Sequence, residues 1–187
     1  MIAAVGHADL PRDTLELVES EVAVRLERWA GDATAVVRAG AGLPVVFGRA
    51  VRAAGRRLVV LLPTDGTAPA PLPERDRAAA GELLVLADRA HLWHFDPADR
   101  DACIGADERL IRTSSRLVAV WDGSPSDGRD ATAHLVAYAR SRGVPVDVVW
   151  PEGARRAPGS PRHLRRVESA PLGTAAGKEG GRVRHPA

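Results

Sequence analysis

The stretch RLVAVWDGSPSDGRDATAHLVAYARSRGVPVDVVW, residues 116–150, decides how the chain folds. RLVAVW (Arg116 to Trp121) is an aliphatic run ending on an aromatic, the pattern of a strand buried on both faces. DGSPSDG is built of turn formers and reads as a loop. Arg129 to Arg142 then reads as a helix, and VPVDVVW (Val144 to Trp150) as a final strand. Strand, loop, helix and strand in that order make a β-α-β unit, with parallel strands joined by a right-handed crossover.

The same alternation runs back to the start of the chain. IAAVG (Ile2 to Gly6) is a buried strand, and after Pro11 the positions Leu15, Val18, Val22, Leu26 and Trp29 step by three or four along one helix face. ATAVV (Ala33 to Val37) is a second strand, Val45 to Ala54 a helix, and RLVVLLP (Arg57 to Pro63) a strand buried on both faces. Thr64 to Pro73, rich in Pro and Gly, is a loop at the edge of the sheet. A helix over Glu74 to Asp88, a strand over His91 to Phe95 and a helix from Pro97 to about Ser114 complete the pattern. The fold class expected is α/β: a three-layer Rossmann-like domain with a mostly parallel sheet of about six strands.

Length and composition agree. At 187 residues the chain suits one compact domain and would make a cramped pair. Aromatics are only 4%, so the core must rest on Val, Leu and Ala. Cys103 is the single cysteine and cannot form an internal disulfide, no basic leader precedes the first apolar run, and no stretch approaches the roughly 20 apolar residues of a membrane span. A cytoplasmic protein with no membrane partner is expected. The net charge of +2 is uneven, because the segment from Glu152 onward carries eight basic and three acidic residues. That divides the chain into a domain over 1–156 and a basic, disordered tail over 157–187. The tail lacks interleaved aromatics, so nucleic acid is not an expected partner.

In a parallel sheet of this kind, ligands bind beyond the carboxyl ends of the strands. Three loops meet that condition: Gly6 to Leu10, Ala39 to Leu43 and Asp122 to Thr132. The candidate binding residues are Gly6, His7, Gly40, Gly42, Trp121, Asp122, Gly123, Gly128, Arg129 and Thr132. The loop after Trp121 is the most informative, since the start of a helix there could present free amides to an anion. The plainer reading is that Gly123 and Gly128 permit tight turns and that Asp127 or Asp130 caps the helix. His7 has two readings of equal weight, a donor to a ribose or base and a loop histidine bonded to backbone. Trp121 and Trp150 read as core cover ahead of stacking platforms.

Other constellations carry less chemistry. His91 and His94 with Asp96 do not converge on a metal, because strand positions three apart point to opposite faces. Cys103 has no CxxC partner, Ser124 and Ser126 sit in no Gly-x-Ser-x-Gly elbow, no GxGxxG occurs, and the one lysine, Lys178, lies in the tail. No metal and no cofactor is expected.

LVAVWDGSPSDGRDATAHLVAYARSRGVPVDVVWPEGARR, with VGHADL at the start and FGRAVRAAGRRLVVLLP between, resembles the SLOG superfamily. This is the Rossmann-like group related to LOG phosphoribohydrolases and nucleoside deoxyribosyltransferases. More narrowly, the chain resembles an uncharacterised actinobacterial branch with a Gly-His-x-Asp-Leu opening and a Trp-Asp-Gly loop, over about Ile2 to Arg156. The resemblance implies a homodimer or higher homo-oligomer that binds a nucleotide-related small molecule.

The departures sharpen that expectation. Where relatives carry Gly-Gly-Thr, this chain has Asp130, Ala131 and Thr132, placing a carboxylate where a phosphate would sit. Pro44 replaces an acidic residue, and Cys103 and Asp107 stand where Tyr and Asn are usual. Enzymes of the group place an essential glutamate three residues after that Thr; here the position is Leu135, which can act neither as base nor as nucleophile. The leading expectation is a non-catalytic, sensor-like protein binding a nucleotide or nucleoside derivative at an altered pocket. The alternatives are an N-glycosidic hydrolase or transferase using Asp107, Glu108 or Asp122, and a ligand-free homo-oligomeric interaction module.

Overall fold

The computed structural model describes residues 1–157 except Ala30, so the expected tail beyond Ala157 lies outside the described residues. Six strands, β1 (Ile2–Gly6), β2 (Ala35–Arg38), β3 (Leu58–Thr64), β4 (Arg89–His94), β5 (Arg116–Val120) and β6 (Val146–Val149), form one sheet in the order β4-β3-β2-β1-β5-β6. Every strand pairing in it is parallel. The helices are α1 (Arg12–Arg28), α2 (Leu43–Ala53), α3 (Glu74–Leu86), α4 (Arg100–Arg112) and α5 (Thr132–Ser141). This is a Rossmann-like α/β arrangement. No helix among the described residues is long and apolar enough to cross a membrane.

The two faces of the sheet are covered unequally. α1, α2 and α3 close one core, in which Val18, Val22, Leu26, Phe47, Val51 and Leu83 meet Ile2, Ala4, Val37 and Val60. Only α4 and α5 cover the other, through Leu110, Ile111, Leu135, Val136 and Ala139 against Ala3, Val5, Leu117 and Ala119. Odd and even residues of β1 therefore serve different cores, as period-two alternation in a doubly covered strand requires. The edge strand β4 is left largely exposed.

Element ends shift from the sequence reading for local reasons. β4 begins at Arg89, two residues before His91, because Arg89 to His94 pair along β3 in register. Pro97 precedes α4 instead of lying within it: Asp99 is the N-cap, its carboxylate accepting from the amides of Asp101 and Ala102. α5 starts at Thr132 rather than Arg129, since the Asp127 carboxylate takes the amides of Arg129 and Asp130 and holds that stretch as a turn.

Candidate functional site

The strand order sets the location. From β1 the chain adds β2, β3 and β4 in one direction, then crosses back to place β5 on the other side of β1. In open α/β sheets such a reversal is where a crevice forms; here it falls beyond the carboxyl ends of β1 and β5, where Gly6 pairs with Val120. Gly6 is required there by contact, since a Cβ would come within 2.6 Å of Leu43 Cδ2 and 2.8 Å of Val120. His7 and Asp122 emerge from these two strands into the crevice.

His7 is only 2% exposed, and both its nitrogens are engaged. Nδ1 lies 2.6 Å from Asp130 Oδ2, and Nε2 lies 2.9 Å from Asp122 Oδ1 and 3.2 Å from the Asp122 amide nitrogen. Charged imidazole donates to both carboxylates; the neutral ring keeps its Nδ1 proton on Asp130 and accepts from the Asp122 amide. Burial alone would lower the His7 pKa, but the hydrogen bond and charge of Asp130, with help from Asp122, outweigh burial and the nearby Arg156 and leave it raised. Burial would raise the Asp130 carboxyl, yet hydrogen bonds from His7 and from the Thr132 amide hold it down to about 2. The Trp150 ring stands edge-on to the imidazole at 5.7 Å, closing one side.

Asp130 also occupies the start of α5. Its Oδ1 accepts from the Thr132 amide at 2.7 Å, and Ser126 Oγ accepts from the His134 amide at 2.9 Å. Two of the amides that a helix start would turn towards an anion are thus taken by the protein's own side chains. The carboxylate points inward, in the field that favours negative charge.

The chain after β6 returns across the same edge. The Arg156 guanidinium reaches both oxygens of Asp9, at 2.9 and 3.1 Å, lies 3.6 Å from Asp130 Oδ2 and donates to Ser124 Oγ at 3.4 Å. The Ala157 amide donates to the Asp9 carbonyl, Arg155 pairs with Asp13, and the buried Thr14 hydroxyl donates to the Arg155 carbonyl. Residues 151–157 form a strap across the β1–α1 loop.

The predicted residues fall into four groups. His7, Asp122 and Thr132 join the crevice network, with Gly6 beneath it. Trp121 and Gly123 shape the rim: the indole Nε1 donates to the Ser124 carbonyl, and Gly123 has φ +85°, in the left-handed region. Gly128 and Arg129 lie exposed on the loop, outside the network. Gly40 and Gly42 stand apart at the β2–α2 turn, where Gly42 (φ +74°) is the N-cap of α2 and the Ala41 amide is held by Asp76. Sequence reasoning missed Asp9, Arg156 and Ser126 as members of the site. Asp9 does stand in the Gly-His-x-Asp opening; Arg156 is 147 residues away from it, and no local pattern marks that contact.

Among the described residues one trio with metal-capable atoms comes together, His7, Asp9 and Asp130, whose donor atoms lie within 4.8 Å of one another. Each is already committed, and the Arg156 guanidinium supplies the positive charge among them. The carboxylates considered for hydrolysis are also engaged: Asp107 makes a paired contact with Arg38 at 2.9 and 3.1 Å, and Glu108 bonds His134 Nε2 at 2.7 Å. Leu135 is 5% exposed and packs in the core beneath α5.

No protein-family model matches the chain, and no curated protein matches it either. Among solved structures, it is similar to an uncharacterized protein from Agrobacterium tumefaciens C58, at 16% identity and a TM-score of 0.21. The match covers 79% of this chain and 62% of that one, so the chain spans less than two thirds of its length.

Proposed function

We propose that this chain is a non-catalytic binding protein for a nucleoside-type ligand, held at the rim of the β1/β5 crevice without a phosphate contact at α5. The observation that carries the reading is the position of the Asp130 carboxylate, bonded to the Thr132 amide and to His7 where a phosphate would otherwise lie. A phosphate brought there would meet a buried negative charge and lose two amides to existing partners. Asp122 remains available. Its contacts with His7 and Ser124 all fall on Oδ1, so Oδ2 can accept from a ribose hydroxyl or a base N–H. The sequence resemblance to the SLOG superfamily supports the ligand class, and the buried Leu135 supports the absence of turnover.

Calorimetric titration of the full chain with the four common ribonucleosides and their 5′-monophosphates tests this. Heat of binding is expected from at least one nucleoside, with no gain in affinity from its phosphate. Silence across the panel, phosphate-dependent tightening or release of free base would each overturn the reading. The resemblance also carries a homo-oligomer as part of the proposal. Light scattering after size-exclusion chromatography checks it, and a monomer at the highest concentration would count against it.

A further inference from the structure

The weaker covering of the α4/α5 face leaves a feature that the crevice does not use. Two helices cannot cover six strands, and the flank of α4 stands beside the exposed edge strand β4 with a trough between them. Its volume is about 320 Å³, at the lower end of small-molecule sites. Trp93 and Phe95 supply its aromatic surface, from β4 and the residue after it. Ala102, Gly105 and Ala106 form the opposing wall, their spacing of three and four placing them on one side of α4. At Gly105 a Cβ would meet no atom within 4 Å, so the space in front of it is open.

Charge gives the trough a sign. Arg109, one turn beyond Gly105, holds its guanidinium 4.5 Å over the Trp93 ring and has no carboxylate partner among the described residues. Arg38, the cation whose guanidinium stands nearest the Phe95 ring, is already neutralised by Asp107. The trough has one carboxylate of its own, Asp96, which accepts from the Ala98 amide. An apolar floor of Trp93 and Phe95, a small-residue wall and a planar cation without a carboxylate partner match a flat organic anion, its ring edge-on in the trough beside His94 and its carboxylate on the Arg109 guanidinium, which itself lies over Trp93.

We infer that the trough between β4 and α4 is a second binding site, separate from the β1/β5 crevice, for a small aromatic carboxylate. Calorimetry on the full chain with 2-naphthoate and the uncharged 2-naphthamide tests it. The carboxylate is expected to bind about ten-fold or more tightly than the amide, the worth of one charge-assisted hydrogen-bonded contact. Arg109→Gln should bring the two probes to the same affinity, and Gly105→Leu, which fills the open space, should remove binding of both while leaving the melting temperature close to that of the parent chain. Equal affinities in the parent chain, no heat from either probe, or binding unaffected by Gly105→Leu would overturn the proposal. So would a change of oligomeric state in Gly105→Leu, which would make the trough a contact between copies. If Gly105→Leu fails to fold, Arg109→Gln alone decides, since Arg109 is exposed and the change removes only its contact over Trp93.

Discussion

His7 is the residue on which the site turns, because it is buried between two carboxylates that both favour its charged form. Its raised pKa means that the folded state binds its proton more tightly than the unfolded chain does. The stabilisation is complete below the unfolded value of about 6.5 and is lost as pH rises through the folded value. Asp130 works in the opposite sense, since its carboxyl sits at about 2, below the unfolded value of about 3.9. Its contribution is present above about pH 3.9 and disappears as pH falls towards 2. Thermal denaturation followed across pH should therefore show a maximum between about pH 4 and 6.5, with a decline above it. His7→Gln should flatten that alkaline decline; an unchanged slope would remove His7 as its cause. The histidine itself was visible in the sequence as a residue at the ligand edge. Its two partners were not assigned to it, because a side-chain pairing across 123 residues leaves no local trace.

At the scale of elements, the strands and helices were legible almost throughout, because aliphatic runs buried on both faces cannot be confused with amphipathic helices that step by three or four. What the pattern missed were ends fixed by single side chains, such as Asp99 capping α4 and Asp127 holding the turn before α5. The end of α1 is another such case. The buried Arg56 donates to the carbonyls of Leu26, Trp29 and Gly31, satisfying the acceptors left over where that helix stops. Arg56→Ala strands those carbonyls and should cost about 2 kcal/mol. Denaturant titration would measure the loss, and a change below about 0.5 kcal/mol would show that water takes over the carbonyls.

At the scale of the molecule, the strap over residues 151–157 joins the last part of the described fold to the first. Sequence composition placed Arg155 and Arg156 in a basic segment, whereas the structure pairs them with Asp13 and Asp9. If the Arg156–Asp9 contact acts as a unit, Arg156→Ala and Asp9→Ala should each destabilise the chain, and the double variant should be little worse than either. The coupling in such a cycle is expected at about 1–2 kcal/mol; strictly additive losses would mean that the strap is held elsewhere. Strand order does not follow from the β-α-β alternation and right-handed crossovers, which leave open after which strand the order reverses; here β5 lands beside β1. The inward-pointing Asp130 occupies the start of α5 between them.

Nitrogen-15 NMR of the His7 imidazole, titrated with pH in the presence and absence of a nucleoside 5′-monophosphate, addresses that last point most directly. An imidazolium persisting above pH 6.5, with the Thr132 and Ala133 amides unmoved by the phosphate, is the result expected if Asp130 fills the anion position. A His7 midpoint below that of free histidine, or amide shifts at the start of α5 on adding the monophosphate, would contradict it.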